Sequence, residues 1–210
     1  MPDNSQLSEL SDILAQPVGA HFVRADLHIH SFGASHDVRD TTMVPTNIIQ
    51  TALAEKLSVI ALADHNEITN VEAAITAARD KVLLVIPAVE LSTPQGHLLC
   101  YLPTVAKLQQ FHGRLTFAGR GTADSRCQQS IIECLRVVEE FGGFGILAHV
   151  DVESGFEVEN PRASPHKFDV IGHKALLGIE LKHASSEIFY NPADKNADRR
   201  RMGDQRIKAL

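Results

Sequence analysis

The segment Ala25-Asp26-Leu27-His28-Ile29-His30-Ser31 sets two imidazoles two residues apart in an apolar, β-prone run. Side chains at i and i+2 share one face of a strand. His28 and His30 are therefore expected to point together, with Leu27 and Ile29 pointing away. Two imidazoles on one rigid strand are suited to be the first ligands of a metal ion. Further candidates stand at the ends of other apolar runs: His65 in Asp64-His65-Asn66, Glu90, His97 and His149. His36 follows His30 by six residues in the polar loop Gly33-Ala34-Ser35-His36-Asp37. Each group alone is explained as a hydrogen-bonded structural histidine or a paired core carboxylate. An ionised Glu in apolar sequence, however, needs partners or a cation, because its desolvation is costly. Imidazoles and a carboxylate at the ends of successive strands have little reason to converge except to hold cations.

The elements that would position these groups are legible from periodicity. Residues 22–30, 58–63, 82–91, 97–102, 144–150 and 176–182 read as six strands. The run Ser58-Val59-Ile60-Ala61-Leu62-Ala63 is apolar throughout, as expected of a strand buried on both faces. Helical spacing recurs over 45–57, with Pro45 near the start, and over 69–80, with Thr69 and Glu72 at capping-box spacing. A strongly amphipathic helix is predicted over 125–140, stopped by Gly142-Gly143. Residues 166–175 are weakly helical, and 112–124 and 153–165 read as loops. Strands alternating with helices imply βα units and a parallel sheet, open or closed. Ligands in such sheets gather at the carboxyl ends of strands. His97 begins its strand, so it reaches that end only if strand four runs antiparallel or the preceding turn folds back. His21, His112, His166 and His173 are read as surface or capping residues, and His183 is left open between surface and site.

Composition bounds the reading. The chain has 210 residues and 44% apolar residues, enough for one ordinary globular core. No stretch approaches the roughly 18–20 apolar residues of a membrane span, and no secretory leader is recognised at the N-terminus. Three cysteines without a CxxC pair suit a reduced, cytoplasmic protein. The net charge of −6 argues against broad nonspecific binding of nucleic acid but not against a local basic groove. A polar arm over 1–20, a metal-binding domain over 21–190 and a charged segment over 191–210 are expected. There is no Gly-x-Ser-x-Gly and no Walker-type glycine loop, so neither a serine nucleophile nor that mode of ATP binding is supported.

The ordered motifs resemble the PHP family (polymerase and histidinol phosphatase). They are Asp26-Leu27-His28-Ile29-His30, Asp64-His65-Asn66, Val89-Glu90-Leu91 followed by Gly96-His97-Leu98, and Ala148-His149-Val150. The resemblance implies an α/β fold, a distorted seven-stranded TIM-like (β/α) barrel. It also implies metal-dependent phosphoester hydrolysis, as a phosphatase or nuclease, with up to three divalent ions (Zn, Mn or Fe) and a metal-bound hydroxide as nucleophile. Carried over, His28, His30 and Glu90 hold the first ion. Glu90 bridges to a second completed by His97 and His149, and His36 and His65 hold the third. Glu90, His65 and His149 are the groups expected to serve catalysis. Asp26 and Asp64 are expected to orient ring nitrogens. Arg39, Arg120 and Arg126 read as solvated charges, with phosphate contact the alternative. The family's closing Asp-x-His is not found after residue 183, so about six strands are expected and the barrel is C-terminally incomplete. Two other readings remain. One is a ligand-depleted, non-catalytic module attached to a polymerase or ATPase domain of a longer chain. The other is a binuclear amidohydrolase, disfavoured because strand four carries no Lys. The expected substrate is a phosphorylated small molecule or a nucleic acid, with no membrane partner.

Overall fold

The structure is a computed structural model that describes residues 22–209. The expected arm over 1–20 and His21 lie outside the described residues. The chain runs β1 (Ala25–Ile29), α1 (Pro45–Ala54), β2 (Val59–Leu62), α2 (Val71–Ala78), β3 (Leu84–Thr93) and β4 (Gly96–Tyr101). Then come α3 (Val105–Gly113), β5 (Phe117–Ala118), β6 (Arg126–Cys127), α4 (Ile131–Glu140) and β7 (Phe144–Leu147). The remainder is α5 (Phe156–Glu159), α6 (Pro165–Gly172), β8 (Leu176–Ile179) and α7 (Ala197–Ala209). Six strands form one curled sheet in the order β1-β2-β3-β4-β7-β8, with β5 and β6 a separate ribbon. This is the incomplete TIM-like barrel expected from the strand count.

The β1–β2, β2–β3 and β7–β8 pairs are parallel, whereas β4 runs antiparallel to both β3 and β7. That reversal settles where His97 goes. The β3–β4 hairpin places Ser92 opposite His97, so the start of β4 stands at the carboxyl end of β3. Its turn needs Gly96, whose φ is +117° and where a Cβ would lie 2.9 Å from the Phe156 amide nitrogen.

The two faces of β2 carry side chains of different size. Ile60 and Leu62 of β2 join the large core under the helices, together with Leu91, Leu98, Leu135 and Val138. The alternate positions Ala61 and Ala63 pack inside the curl with Ala88, Ala148, Leu99 and Tyr101. Leu99 and Tyr101 help to fill the interior, while the alanines leave room for larger groups at the mouth. The sheet stays open between β8 and β1. Across the interior, the Tyr101 hydroxyl donates to the Leu27 carbonyl at 2.9 Å.

Several local expectations are corrected. Leu27 and Ile29 do not pack together: Leu27 lies against the inner cluster and Ile29 against the outer one, because β1 pairing shifts register between Asp26 and Ile29. The second helix begins at Val71 with Asn70, not Thr69, at its N-cap. Asn70 Nδ2 instead donates to Ser31 Oγ and the Phe32 carbonyl, both at 2.9 Å, tying the helix to the loop after β1. The helix predicted from 125 begins at Ile131. Ser130 and Glu133 form its capping box, and Arg126 and Cys127 are taken by the ribbon. The unpredicted α3 is capped by Thr104, which accepts from the Lys107 amide at 3.2 Å.

The charged C-terminal segment docks through a buried ionic network. Lys167 Nζ lies 2.7 Å from Glu157, and Arg199 lies 3.2 Å from Glu157 and 2.7 Å from Asp194. Glu157 sits in α5, which begins directly after Gly155. A side chain at Gly155 would collide with the His149 carbonyl. No helix among the described residues is long and apolar enough to cross a membrane.

Candidate metal centre

Glu90 lies at the centre of the mouth, on the inner face of β3 two residues beyond Ala88, and is fully buried. Its Oε1 faces His97 Nδ1 at 2.9 Å and His149 Nε2 at 3.1 Å. Its Oε2 faces His30 Nε2 at 2.8 Å, His28 Nε2 at 3.0 Å and His65 Nδ1 at 3.2 Å. His28 Nε2 and His30 Nε2 also face each other at 3.1 Å.

Local chemistry explains how each side chain arrives there. His65 is paired to Glu90 by a parallel bridge beyond the end of β2. The next residue, Asn66, takes φ +55°, a left-handed conformation that Asn tolerates. Asn66 Oδ1 accepts from the Ser92 amide at 3.0 Å, and its Nδ2 donates to the Ser125 carbonyl at 3.0 Å. His112 is buried, not a surface group, and its Nε2 donates to the Asn66 carbonyl at 2.9 Å. His149 has φ +30°, sparsely populated for a non-glycine residue, and its amide donates to Glu180 Oε2 at 3.1 Å.

Asp26 and Asp64 do not orient ring nitrogens. Among the described residues Asp26 accepts only the His28 backbone amide, at 3.2 Å. Asp64, buried, takes the Ser31 amide at 2.5 Å and the Ser31 hydroxyl at 2.6 Å, which fixes the chain leaving β1. Burial raises the Asp64 carboxyl to about 6 despite those bonds. Two residues not singled out from the sequence hold the rings: Glu180 Oε2 faces His28 Nδ1 at 2.9 Å, and Asp37 Oδ2 faces His30 Nδ1 at 2.9 Å. Glu180 just follows β8, a position where a carboxylate at a strand end was the available signal. Asp37 is the immediate neighbour of His36. The His36 ring does not face Glu90; it packs on the His65 ring at 4.9 Å between centroids.

The electrostatics are divided. Burial alone would raise the Glu90 carboxyl, but hydrogen bonds from His149, His28, His30 and His97 outweigh it and hold Glu90 well below the usual carboxylate range. Burial would lower His28, yet the Glu180 and Glu90 carboxylates push it up to about 10. His30 is raised in the same way by Glu90 and Asp37. Burial brings His65 down to about 4, so its ring is neutral at neutral pH.

This donor set fits divalent cations. One carboxylate oxygen meets three ring nitrogens, more than it accepts comfortably as hydrogen bonds. Ligands about 2.1 Å from a tetrahedral cation stand roughly 3–3.5 Å apart, and the observed separations run from 2.8 to 3.2 Å. Among the described residues, three groups have ligand atoms close enough to share an ion: His28, His30 and Glu90; His30, Asp37 and His65; and His65, Glu90 and His97. They line a cavity of about 490 Å³ that also receives Glu153, Glu180 and Lys182. A larger groove of about 610 Å³ beside α1, lined by Thr42, Ile48, Thr51 and Glu55, carries none of these three groups.

Comparison with solved structures then places the architecture. A two-domain protein from Bacteroides vulgatus containing a predicted PHP-like metal-dependent phosphoesterase superposes with a TM-score of 0.52 and 17% identity, over 75% of this chain and 43% of that one. The lesion-specific endonuclease Q of Pyrococcus furiosus gives a TM-score of 0.63 and 18% identity, over 79% of this chain and 44% of that one. The fold is that of the PHP-like phosphoesterases. By sequence, a 5'-3' exoribonuclease of Haemophilus influenzae is 35% identical over 68 residues, 32% of this chain and 23% of that protein. The chain thus spans less than half the length of each of these proteins. No family model matches the sequence. Within the PHP-like fold, Glu90 and the five surrounding histidines occupy the mouth of the half-barrel, where strand ends converge.

The remaining candidates lie outside this cluster. Arg120 makes a two-pronged pair with Glu67, both contacts at 3.2 Å, and lies over the Phe117 ring. Arg126 Nη1 donates to the Ser125 carbonyl at 2.8 Å. Arg39 and His183 are exposed, and the His183 amide donates to Asp151 at 3.1 Å.

Proposed function

We propose that this chain hydrolyses phosphoesters with the help of divalent cations held around Glu90. One observation carries the reading: a fully buried carboxylate with five imidazole nitrogens within 3.2 Å at the mouth of a PHP-like half-barrel. Mixed imidazole and carboxylate donors suit Zn, Mn or Fe. His28, His30 and Glu90 would hold one ion. Glu90, His97 and His149, with His65 nearby, would hold a second. His30, Asp37 and His65 would hold a third. When bound, such cations polarise phosphate oxygens and lower the pKa of water towards neutrality.

The chain's own groups do the positioning. Glu90 offers both oxygens, so one residue would serve two ions. Glu180 and Asp37 fix the tilt of the His28 and His30 rings, which sets where their Nε2 atoms point. The neutral His65 ring has Nε2 3.9 Å from Asp37 Oδ2, which makes it the ring atom available to the third set. Lys182 sits on the cavity rim, its backbone amide held by Asp151 at 2.8 Å. Its ammonium is suited to a substrate phosphate. The Haemophilus influenzae protein is an exoribonuclease and the Pyrococcus furiosus protein a lesion-specific endonuclease. Both likenesses support a nucleic-acid phosphoester as substrate over a phosphorylated metabolite.

The test is metal content and turnover of the protein purified without chelator, beside Glu90→Gln. About two or more equivalents of transition metal are expected in the parent chain and less than half an equivalent in the variant. Hydrolysis of nitrophenyl phosphoesters or a single-stranded oligonucleotide should fall by roughly a hundredfold or more with the charge. A metal-loaded parent chain that cleaves neither class of ester would overturn the proposal.

A further inference from the structure

A second cavity, of about 420 Å³, opens beside the metal cluster and shares one residue with it, His65. The loop after β1 divides the two cavities. Ser35, buried, donates its hydroxyl to Asp37 Oδ1 at 2.7 Å, and its oxygen accepts the His65 amide at 3.3 Å. That pair of bonds turns Asp37 into the metal cavity. Its neighbour His36 then faces the second cavity, with its ring against His65 at 4.9 Å and an interplanar angle of 32°.

Phe32 stands in the same cavity. It is 37% exposed and belongs to neither hydrophobic cluster. Its backbone is nonetheless held on both sides: the amide donates to Met43 at 2.8 Å, and the carbonyl accepts from Asn70 at 2.9 Å. An aromatic side chain on a backbone held in this way is pre-organised for a planar ligand, because little freedom is lost on stacking. The other walls are mixed, with Ala34 and Val38 beside polar groups. Glu67 is clamped by Arg120, and Thr122 and Ser125 bring hydroxyl groups. An acyl chain would need continuous apolar walls, which this cavity lacks. Two rings beside a polar edge match a planar heterocycle with polar substituents.

We propose that this second cavity is a nucleobase subsite, holding the base of a nucleotide whose phosphate lies across His65 at the metal cluster. The assignment rests on the hydrolytic reading for the position of the phosphate, but the base pocket is tested on its own. The experiment compares adenosine monophosphate with ribose phosphate on the metal-loaded protein, by steady-state kinetics and by calorimetric binding. The parent chain should prefer the nucleotide. Phe32→Ala should cut that preference by roughly 5- to 150-fold, carried by KM and by the binding constant, since one stacked base is worth that much. Phe32→Trp should restore it. His36→Ala, at an exposed position, should lower it in the same direction and guards against misfolding of the Phe32 variant.

If the parent chain turns over neither compound but binds the nucleotide in a Phe32-dependent way, the subsite stands, and the hydrolytic reading falls only if the nitrophenyl esters and the oligonucleotide are left intact as well. If both compounds are cleaved with equal kcat/KM, the subsite is overturned while hydrolysis stands. Failure of the nucleotide to bind, or affinity indifferent to Phe32→Ala and His36→Ala, overturns it as well.

Discussion

Replacing Glu180 tests whether a residue that touches no substrate sets the metal affinity of the cluster. Its carboxylate makes two bonds that matter: Oε2 to His28 Nδ1 at 2.9 Å and Oε2 to the His149 amide at 3.1 Å. One orients a ring, and the other holds the strained backbone of a second imidazole. Bonds of this charge-assisted kind are worth about 1.5–3 kcal/mol each when buried. Glu180 is about a third exposed, at 35% of its side-chain surface, which puts the useful part near the bottom of that range. Loss of about 1.4–2.7 kcal/mol corresponds to a ten- to hundredfold weaker cation affinity, the scale known for carboxylates that support metal-bound histidines. Glu180→Gln, which keeps one acceptor, should fall at the lower end, and Glu180→Ala at the upper. Glu153 lines the same cavity but hydrogen-bonds none of the ring nitrogens. Glu153→Gln therefore controls for simple loss of charge and should cost no more than about fivefold. The assay is titration of chelator-stripped protein with Mn or Zn, followed by calorimetry. Equal affinities for Glu180→Ala and Glu153→Gln would refute the argument that ring orientation, not net charge, governs the site.

Two further outcomes follow from other parts of the molecule. Lys182→Met should raise KM for a phosphoester about tenfold and leave metal content unchanged, measured by kinetics beside elemental analysis; an unchanged KM would remove Lys182 from phosphate binding. Asp194 is buried. Burial would raise its carboxyl, but the Arg199 guanidinium and the amides of Phe189, Asn196 and Tyr190 hold it well below the usual range. A lowered folded-state pKa contributes stability that is present above about pH 4, the unfolded value, and is lost as pH falls below it. At neutral pH, Asp194→Asn should cost about 3 kcal/mol, a drop of roughly 6–12 °C in Tm. The gap to the parent chain should close on acidification; a gap independent of pH would contradict the charge argument.

The amino-acid sequence by itself determined which strands exist and what stands at their ends. Alternating large and small apolar residues, as in Ile60-Ala61-Leu62-Ala63, define strands with two buried faces. A His or Glu that ends such a run is carried to the mouth without any knowledge of tertiary contacts. That is why His28, His30, His65, Glu90 and His149 were legible as one cluster. His97 was legible only as a conditional member, since its place depended on a strand direction that periodicity does not encode.

Tertiary structure decided the rest, because the deciding contacts join residues distant in sequence or choose between neighbours. Glu180 reaches His28 across the open side of the sheet, 152 residues away, and no local pattern marks that contact. Asp37 rather than His36 faces the metal cavity because Ser35 holds it there, a choice made by one hydroxyl bond at 2.7 Å. Asn70 replaces Thr69 at the helix start because its side chain is drawn to Ser31 and Phe32. Local propensity proposes equivalent candidates one residue apart, whereas a packed loop satisfies only one of them.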